Sequence, residues 1–200
     1  MKKIVCFASG NGTNFQSLID SVHAKHAFII ALITDNPEAG AIARAKEANI
    51  AVHAFDYRQM GREAFEQKTI ELLSELEPDL AVLCGFLKAY PSAAIQKWPA
   101  INIHPSLLPS FSGKGMYGLR VHEAAIDYGV KVSGCSVHFV TEEIDAGPII
   151  LQMPVDVLER DTPETLQTRI LEYEHKAIVK AAMLFCSDRI KISGRRAIIS

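Results

Sequence analysis

Read from its amino terminus, the chain alternates between two hydrophobic rhythms. "KIVCFAS" is a short apolar run of the kind that a strand covered on both faces requires, and it ends in the polar, glycine-rich "GNGTN". "FQSLIDSVHA" follows, with Phe15, Leu18, Ile19 and Val22 at helical spacing. The unit then recurs. "AFIIALIT" stops at the turn formers Asp35, Asn36 and Pro37 before the alanine-rich "EAGAIARAKEAN". "AVHAF" precedes "GREAFEQKTIELLSELE", whose Phe65, Ile70, Leu73 and Leu76 gather mostly on one side, and "DLAVLCGF" is a fourth apolar run after Pro78.

Strands alternating with helices predict a mostly parallel, Rossmann-like α/β sheet with helices on both faces. Right-handed crossovers collect the strand ends on one edge, here "SGNGTN", "TDNP", "CGFLKAY" and "NIHPS", and a site is expected there. Beyond residue 130 the rhythm changes. "VKVSGCSVHFVT" alternates, with Val137 and Phe139 facing one way and Ser136 and His138 the other, and "GPIILQMPVDV" alternates in part, which predicts a mixed or antiparallel C-terminal extension. A long helix is expected from Pro163 or Glu164 to Cys186 with Thr162 as its N-cap, then a small hairpin from "RIKI" and "RAII". Neither a repeat nor a linker interrupts the chain, so a single domain over 1–200 is expected, with 1–100 and 101–190 as two halves that are not independent.

Composition narrows the classes of function. With 200 residues the chain has room for one well-filled core. A net charge of -2 offers a polyanion no long-range attraction, so no nucleic-acid partner is expected. The first apolar run is cut short by Ser9, Gly10 and Asn11, and no run approaches the ~18 apolar residues of a membrane span. No membrane partner is expected, and a cytoplasmic location is. Cys6, Cys84, Cys135 and Cys186 lack close metal-type spacing and read as free thiols in a reducing compartment.

Three segments carry candidate chemistry. "SGNGTN" turns sharply out of a strand and exposes backbone N–H groups beneath a helix, a nest for a small monophosphate; a turn with no ligand is the alternative. It is not a dinucleotide fingerprint, because Phe15 stands where the third glycine belongs. In "INIHPS", period-two alternation points Asn102 and His104 the same way while Ile101 and Ile103 enter the core, and Pro105 holds His104 out of helical geometry. An amide beside an imidazolium suits the negative oxygen of a tetrahedral species, although both residues would also serve as backbone caps. "TEEIDAGP" supplies Asp145, between Ile144 and a flexible Ala-Gly, as a carboxylate to orient His104 and favour its charged form. His104, His122 and His138 are too widely spaced for a compact metal motif, so no metal is expected.

With these residues in hand, the chain resembles the phosphoribosylglycinamide formyltransferases. The resemblance spans about residues 3 to 187 and rests on "SGNGTN", "GREAF", "CGFLKAY", "NIHPSLLPSF", "GCSVHFVTEEIDAGPII" and "EYEH" in order. It implies formyl transfer from the co-substrate 10-formyltetrahydrofolate to the amine of glycinamide ribonucleotide in purine biosynthesis. It implies Asn102, His104 and Asp145 as catalytic residues, and Gly12, Thr13, Asn14 and Glu174 around the ribonucleotide. It gives the folate side Arg62, Leu87, Lys88, Ala89 and Tyr90, Asn102 again, and the turn Thr141, Glu142, Glu143, Ile144 and Asp145. The first half would then bind nucleotide and the second folate, in a monomer or homodimer.

Departures from the family pattern are visible. Lys88 stands where many relatives carry Arg, and Leu171 where a polar residue often nears the phosphate. "GKGMYGLRVHEAAI" reads as a glycine-rich flap or an ordinary surface turn, with Lys114 or Arg120 available as phosphate charges. Competing functions are a formyl-folate hydrolase, which uses the same donors on water; an initiator-tRNA formyltransferase, which needs more positive surface; and a non-catalytic nucleotide-binding module. The start of the chain close to its first strand speaks against the extra N-terminal domain that such hydrolases carry.

Overall fold

The computed structural model describes residues Met1–Ser200 and divides them into two compact units, Met1–Ile101 and Asn102–Ser200. In the first, β1 (Lys2–Phe7), α1 (Thr13–Ser21), β2 (Ala27–Thr34), α2 (Ala41–Glu47), β3 (Ala51–Ala54), α3 (Tyr57–Leu76) and β4 (Leu80–Leu83) alternate, followed by a short α4 (Ser92–Ile95). Parallel pairing of β1 with β2, β1 with β4 and β2 with β3 gives the order β3-β2-β1-β4. Ile4, Val5, Cys6 and Phe7 of β1 are fully buried, which is why the central strand shows an apolar run instead of alternation.

β5 (Ala100–His104) begins in the first unit and ends in the second. The second unit continues with α5 (Leu119–Tyr128), β6 (Val132–Phe139), β7 (Ile149–Asp156), α6 (Pro163–Cys186), β8 (Ile190–Ser193) and β9 (Arg196–Ile199). β6 and β7 are antiparallel, β9 runs parallel to β7, and β8 pairs antiparallel with β9. The chain thus has the Rossmann-like α/β fold with a mixed C-terminal extension that its hydrophobic rhythm predicts.

The α6 boundaries are set by chemistry legible in the sequence. Thr162 and Thr165 satisfy one another's backbone N–H groups in a capping box, and Pro163 occupies the first turn, where its missing N–H costs nothing. Asp161 closes a two-pronged ion pair with Arg169, at 2.6 and 2.8 Å, which holds its carboxyl well below the usual carboxylate range.

Two elements differ from expectation. Residues 119–128 form a helix with Val121, His122 and Ala125 buried, so the flap or surface turn expected over "GKGMYGLRVHEAAI" extends no further than its first part. α3 starts at Tyr57, ahead of "GREAF", because the Asp56 carboxylate accepts from the N–H groups of Arg58 and Gln59; Gly61, at φ 78°, then interrupts the helical geometry. From Ser133 to Phe139 every residue of β6 is buried, so the face that carries Ser136 and His138 is covered as fully as the face of Val137 and Phe139.

Candidate active site

In the second unit, the end of β5 and the turn after β6 converge on one cluster. Ile101 and Ile103 are buried on one side of β5, leaving Asn102 and His104 on the other. The segment after His104 is fastened to the two neighbouring strands. The Ser136 hydroxyl accepts from the Leu108 N–H at 3.0 Å and donates to the Ser106 carbonyl at 2.7 Å, while Gln152 donates to the Leu108 carbonyl at 3.1 Å. Phe111, held in the left-handed region at φ 49°, then turns its carbonyl toward His104.

That carbonyl fixes where hydrogen sits on the ring. A carbonyl only accepts, so His104 Nε2–H donates to Phe111 O at 2.9 Å, and Nδ1 faces Asp145 Oδ2 at 3.7 Å. His138 is oriented in the opposite sense. Its Nδ1–H donates to the Phe139 carbonyl at 2.9 Å, so in the neutral ring the Nε2 lone pair accepts from the Asn102 amide at 3.3 Å. Burial pushes the His138 imidazolium below its ordinary range, despite the opposing pull of the Asp145 carboxylate, and favours that neutral form.

Asp145 is shared between the two histidines. Oδ1 lies 3.7 Å from His138 Nε2, and Oδ2 accepts from the Gly113 N–H at 3.0 Å. Its backbone is left-handed at φ 55°, and Gly147 two residues on packs so tightly that an added Cβ would lie 1.8 Å from the Phe139 carbonyl oxygen. Within the same turn the Thr141 hydroxyl donates to the Glu143 carbonyl, while Glu142, Glu143 and Ile144 are exposed. The cluster therefore contains an amide N–H pair, two imidazoles and one carboxylate, which suits stabilisation of an oxyanion together with proton movement.

Glu174, the candidate near the ribonucleotide, is buried on α6. Its charge and burial together push the Cys135 thiol up to about 12, burial being the larger cause. His122 on α5 is buried too, and burial, aided by the charge of His104, lowers its imidazolium to about 4.

The first unit holds the other candidates. Gly12 stands at the N-cap of α1 with φ 69°, and a Cβ there would meet the Ala41 side chain at 2.7 Å, so only glycine fits both the conformation and the space. No side-chain oxygen caps the first turn of α1, so Thr13 and Asn14 open a helix N-terminus of the kind that binds anions. Asn11 and Gly10 are tied back to α2 through Arg44 Nε and the Ala41 N–H.

At the end of β4, the Leu87 N–H donates to the Ser9 hydroxyl at 2.9 Å, and the Leu87 side chain is exposed. Lys88 lies 3.6 Å from the buried Asp35 carboxylate and 4.6 Å above the Tyr57 ring, and Ala89 beside it is exposed. Tyr90 is buried and donates its hydroxyl to the Trp98 carbonyl at 3.1 Å. Arg62 is paired at 2.7 Å with Glu66 one helical turn on. Lys114 and Arg120 are exposed, Arg120 resting over the Tyr117 ring.

Sequence reasoning placed His138 on the polar side of its strand without a partner. It missed the Phe111 carbonyl and Gly113 N–H, which no side-chain pattern signals. No helix is long and apolar enough to cross a membrane.

Comparison with known proteins places the chain by sequence and by fold. A formyl transferase family model matches residues 2–182. The phosphoribosylglycinamide formyltransferase of Bacillus subtilis is 40% identical over 181 residues, covering 88% of this chain and 90% of that protein. The crystal structure of glycinamide ribonucleotide transformylase 1 from Symbiobacterium toebii superposes with a TM-score of 0.92 at 37% identity, over 100% of this chain and 94% of that one. A formyltetrahydrofolate deformylase from Pseudomonas syringae is more distant at 25% identity, TM-score 0.90, and this chain spans 99% of itself but 65% of that protein. Among other curated relatives, the chain spans 67% of the chloroplastic phosphoribosylglycinamide formyltransferase of Arabidopsis thaliana and 19% of a trifunctional purine biosynthetic protein of Gallus gallus. By the extent and identity of these matches, the chain belongs to the phosphoribosylglycinamide formyltransferase family of enzymes.

Proposed function

We propose that the chain moves the formyl group of 10-formyltetrahydrofolate to the amine of glycinamide ribonucleotide, in purine biosynthesis, through an oxyanionic tetrahedral intermediate. The observation that carries the chemistry is the cluster of Asn102, His138, Asp145 and His104 at contacts of 3.3 to 3.7 Å. Holding both substrates together converts a bimolecular encounter into an oriented attack. The neutral amine attacks the formyl carbon and its oxygen becomes negative. One N–H of the Asn102 amide donates to His138, and the other is available to that oxygen.

His104 supplies the second donor. Its Nε2–H now donates to the Phe111 carbonyl, and the formyl oxygen replaces that carbonyl as acceptor when the 111–118 segment closes on substrate. The Asp145 carboxylate, facing Nδ1, stabilises positive charge on the ring. Through a water it takes the proton that the attacking amine releases, and the folate nitrogen gains one as the C–N bond to the formyl carbon breaks.

Gly12, Thr13 and Asn14 receive the ribonucleotide phosphate at the uncapped start of α1, and Glu174 takes part in ribonucleotide binding. Arg62, Leu87, Lys88, Ala89 and Tyr90 contribute the folate side with Asn102 and residues 141–145. The two units work as one domain, with no metal, in the cytoplasm, as a monomer or homodimer and without nucleic acid or membrane.

The test is to supply both substrates and measure formylated ribonucleotide and free formate separately. Product formed one for one with folate consumed, and little formate, supports transfer. Formate released whether or not ribonucleotide is present would instead assign the deformylation named for the Pseudomonas syringae relative.

A further inference from the structure

The C-terminal hairpin lies beyond the residues matched by the family model, yet its tip reaches the turn that carries Asp145. β8 and β9 pair with Ser193 opposite Arg196, which leaves Gly194, at φ 58°, and Arg195 as the tip. β9 lies beside β7 with Arg196 opposite Ile149, the first residue of that strand. This register brings the tip to the end of the 141–148 segment. There Arg195 Nη2 donates to the Ala146 carbonyl at 3.3 Å.

Ala146 adjoins Asp145, whose φ of 55° lies in the left-handed region that Asp tolerates better than most L-residues but still enters at a cost. The other restraints on the turn are the Gly113 N–H on Oδ2, the Thr141 hydroxyl on the Glu143 carbonyl at 3.0 Å, the Ala146 N–H on that same carbonyl at 3.4 Å, the Phe139 N–H on the Pro148 carbonyl at 2.9 Å, and the close seat of Gly147 on β6. Of all these contacts, only the guanidinium reaches the Ala146 carbonyl, in the peptide that joins Ala146 to Gly147. Arginine suits that task because it is always charged and donates from a rigid plane.

We propose that Arg195 is a positioning residue for formyl transfer: the hairpin tip pins Ala146 and so keeps the Asp145 carboxylate facing His104 and His138. The inference rests on the role given to Asp145 under the proposed function. It does not place Arg195 in contact with substrate.

The experiment compares R195A, R195K and the wild-type chain by initial rates, thermal unfolding and NMR titration of the His138 ring, which is faced by Asp145 and His104. One exposed hydrogen bond is lost in R195A, so kcat falls about 3- to 10-fold with both KM values within about two-fold and an unchanged unfolding midpoint. R195K recovers most of the loss. In R195A, His138 also titrates lower than in wild type, because the carboxylate that raises it has turned away. That signal is independent of activity. If wild-type chain forms no formylated product, the functional reading falls, and the His138 titration still decides whether Arg195 sets Asp145. An unmoved His138 titration overturns the proposal whatever the rates do, and so does an unchanged kcat in R195A from an active parent.

Discussion

His138 donates from Nδ1, so Asn102 meets its Nε2 lone pair, and that single tautomer decides which way the amide faces. Replacing His138 by Ala leaves the amide free to rotate, with kcat expected to fall about 10-fold at unchanged KM, a loss comparable to one hydrogen bond to a charged species. Asn102→Ala and His104→Ala remove the two proposed oxyanion donors outright. Each is expected to cost about 10² to 10³ in turnover with both substrates saturating, and near-normal turnover in His104→Ala would remove His104 from the mechanism. Asn102 and His104 were legible because a strand has a side-chain period of two and the buried Ile101 and Ile103 fix the phase. Asp145 was expected beside His104 from its turn, but the geometry of that approach was not legible, because it depends on a left-handed residue 41 positions beyond His104 in sequence and on a backbone N–H at Gly113.

Individual elements separate stability from catalysis. Thr162→Ala removes half of the α6 capping box and is expected to cost about 1 kcal/mol in denaturant unfolding, with turnover unaffected. Gly147→Ala acts on the turn itself. Its Cβ would lie 1.8 Å from the Phe139 carbonyl oxygen, so the turn must shift by more than an ångström and carry Asp145 with it. A displacement of about 1 Å typically costs about 10² in rate, so kcat should fall by that order while the ribonucleotide KM stays near wild type. The α6 cap was legible because Thr-Pro-Glu-Thr is local chemistry. α5 was not, since "GKGMYG" ahead of it has the texture of a loop, and its buried Val121, His122 and Ala125 are a short helical signal in only ten residues.

For the molecule as a whole, the βα alternation gave the sheet of the first unit, because fully buried parallel strands appear as continuous apolar runs. Burial of titratable groups in this fold gives its stability a testable dependence on pH. His122 is 1% exposed, its Nδ1 has no hydrogen-bond partner, and its imidazolium is lowered to about 4 by burial first and the His104 charge second. An unfolded histidine protonates near 6.5, so between pH 6.5 and 4 the unfolded chain binds a proton that the folded chain refuses. Stability is therefore full above that window and falls as pH drops through it, by up to about 3 kcal/mol from this group. His138, also lowered chiefly by burial, acts in the same direction. Asp161 acts in a different range: its carboxyl is depressed by Arg169 from 3.8, so its stabilising contribution begins to fade only below that value. Urea unfolding at pH 7.5 and at pH 4.5 should accordingly show a marked loss in the wild-type chain and a smaller one in His122→Gln, which has no proton to gain at that position and keeps only the contribution of His138 and the other titrating groups. Equal losses in the two chains would mean that His122 takes up its proton in the folded state as readily as in the unfolded one, and that the acid sensitivity of this fold comes from elsewhere.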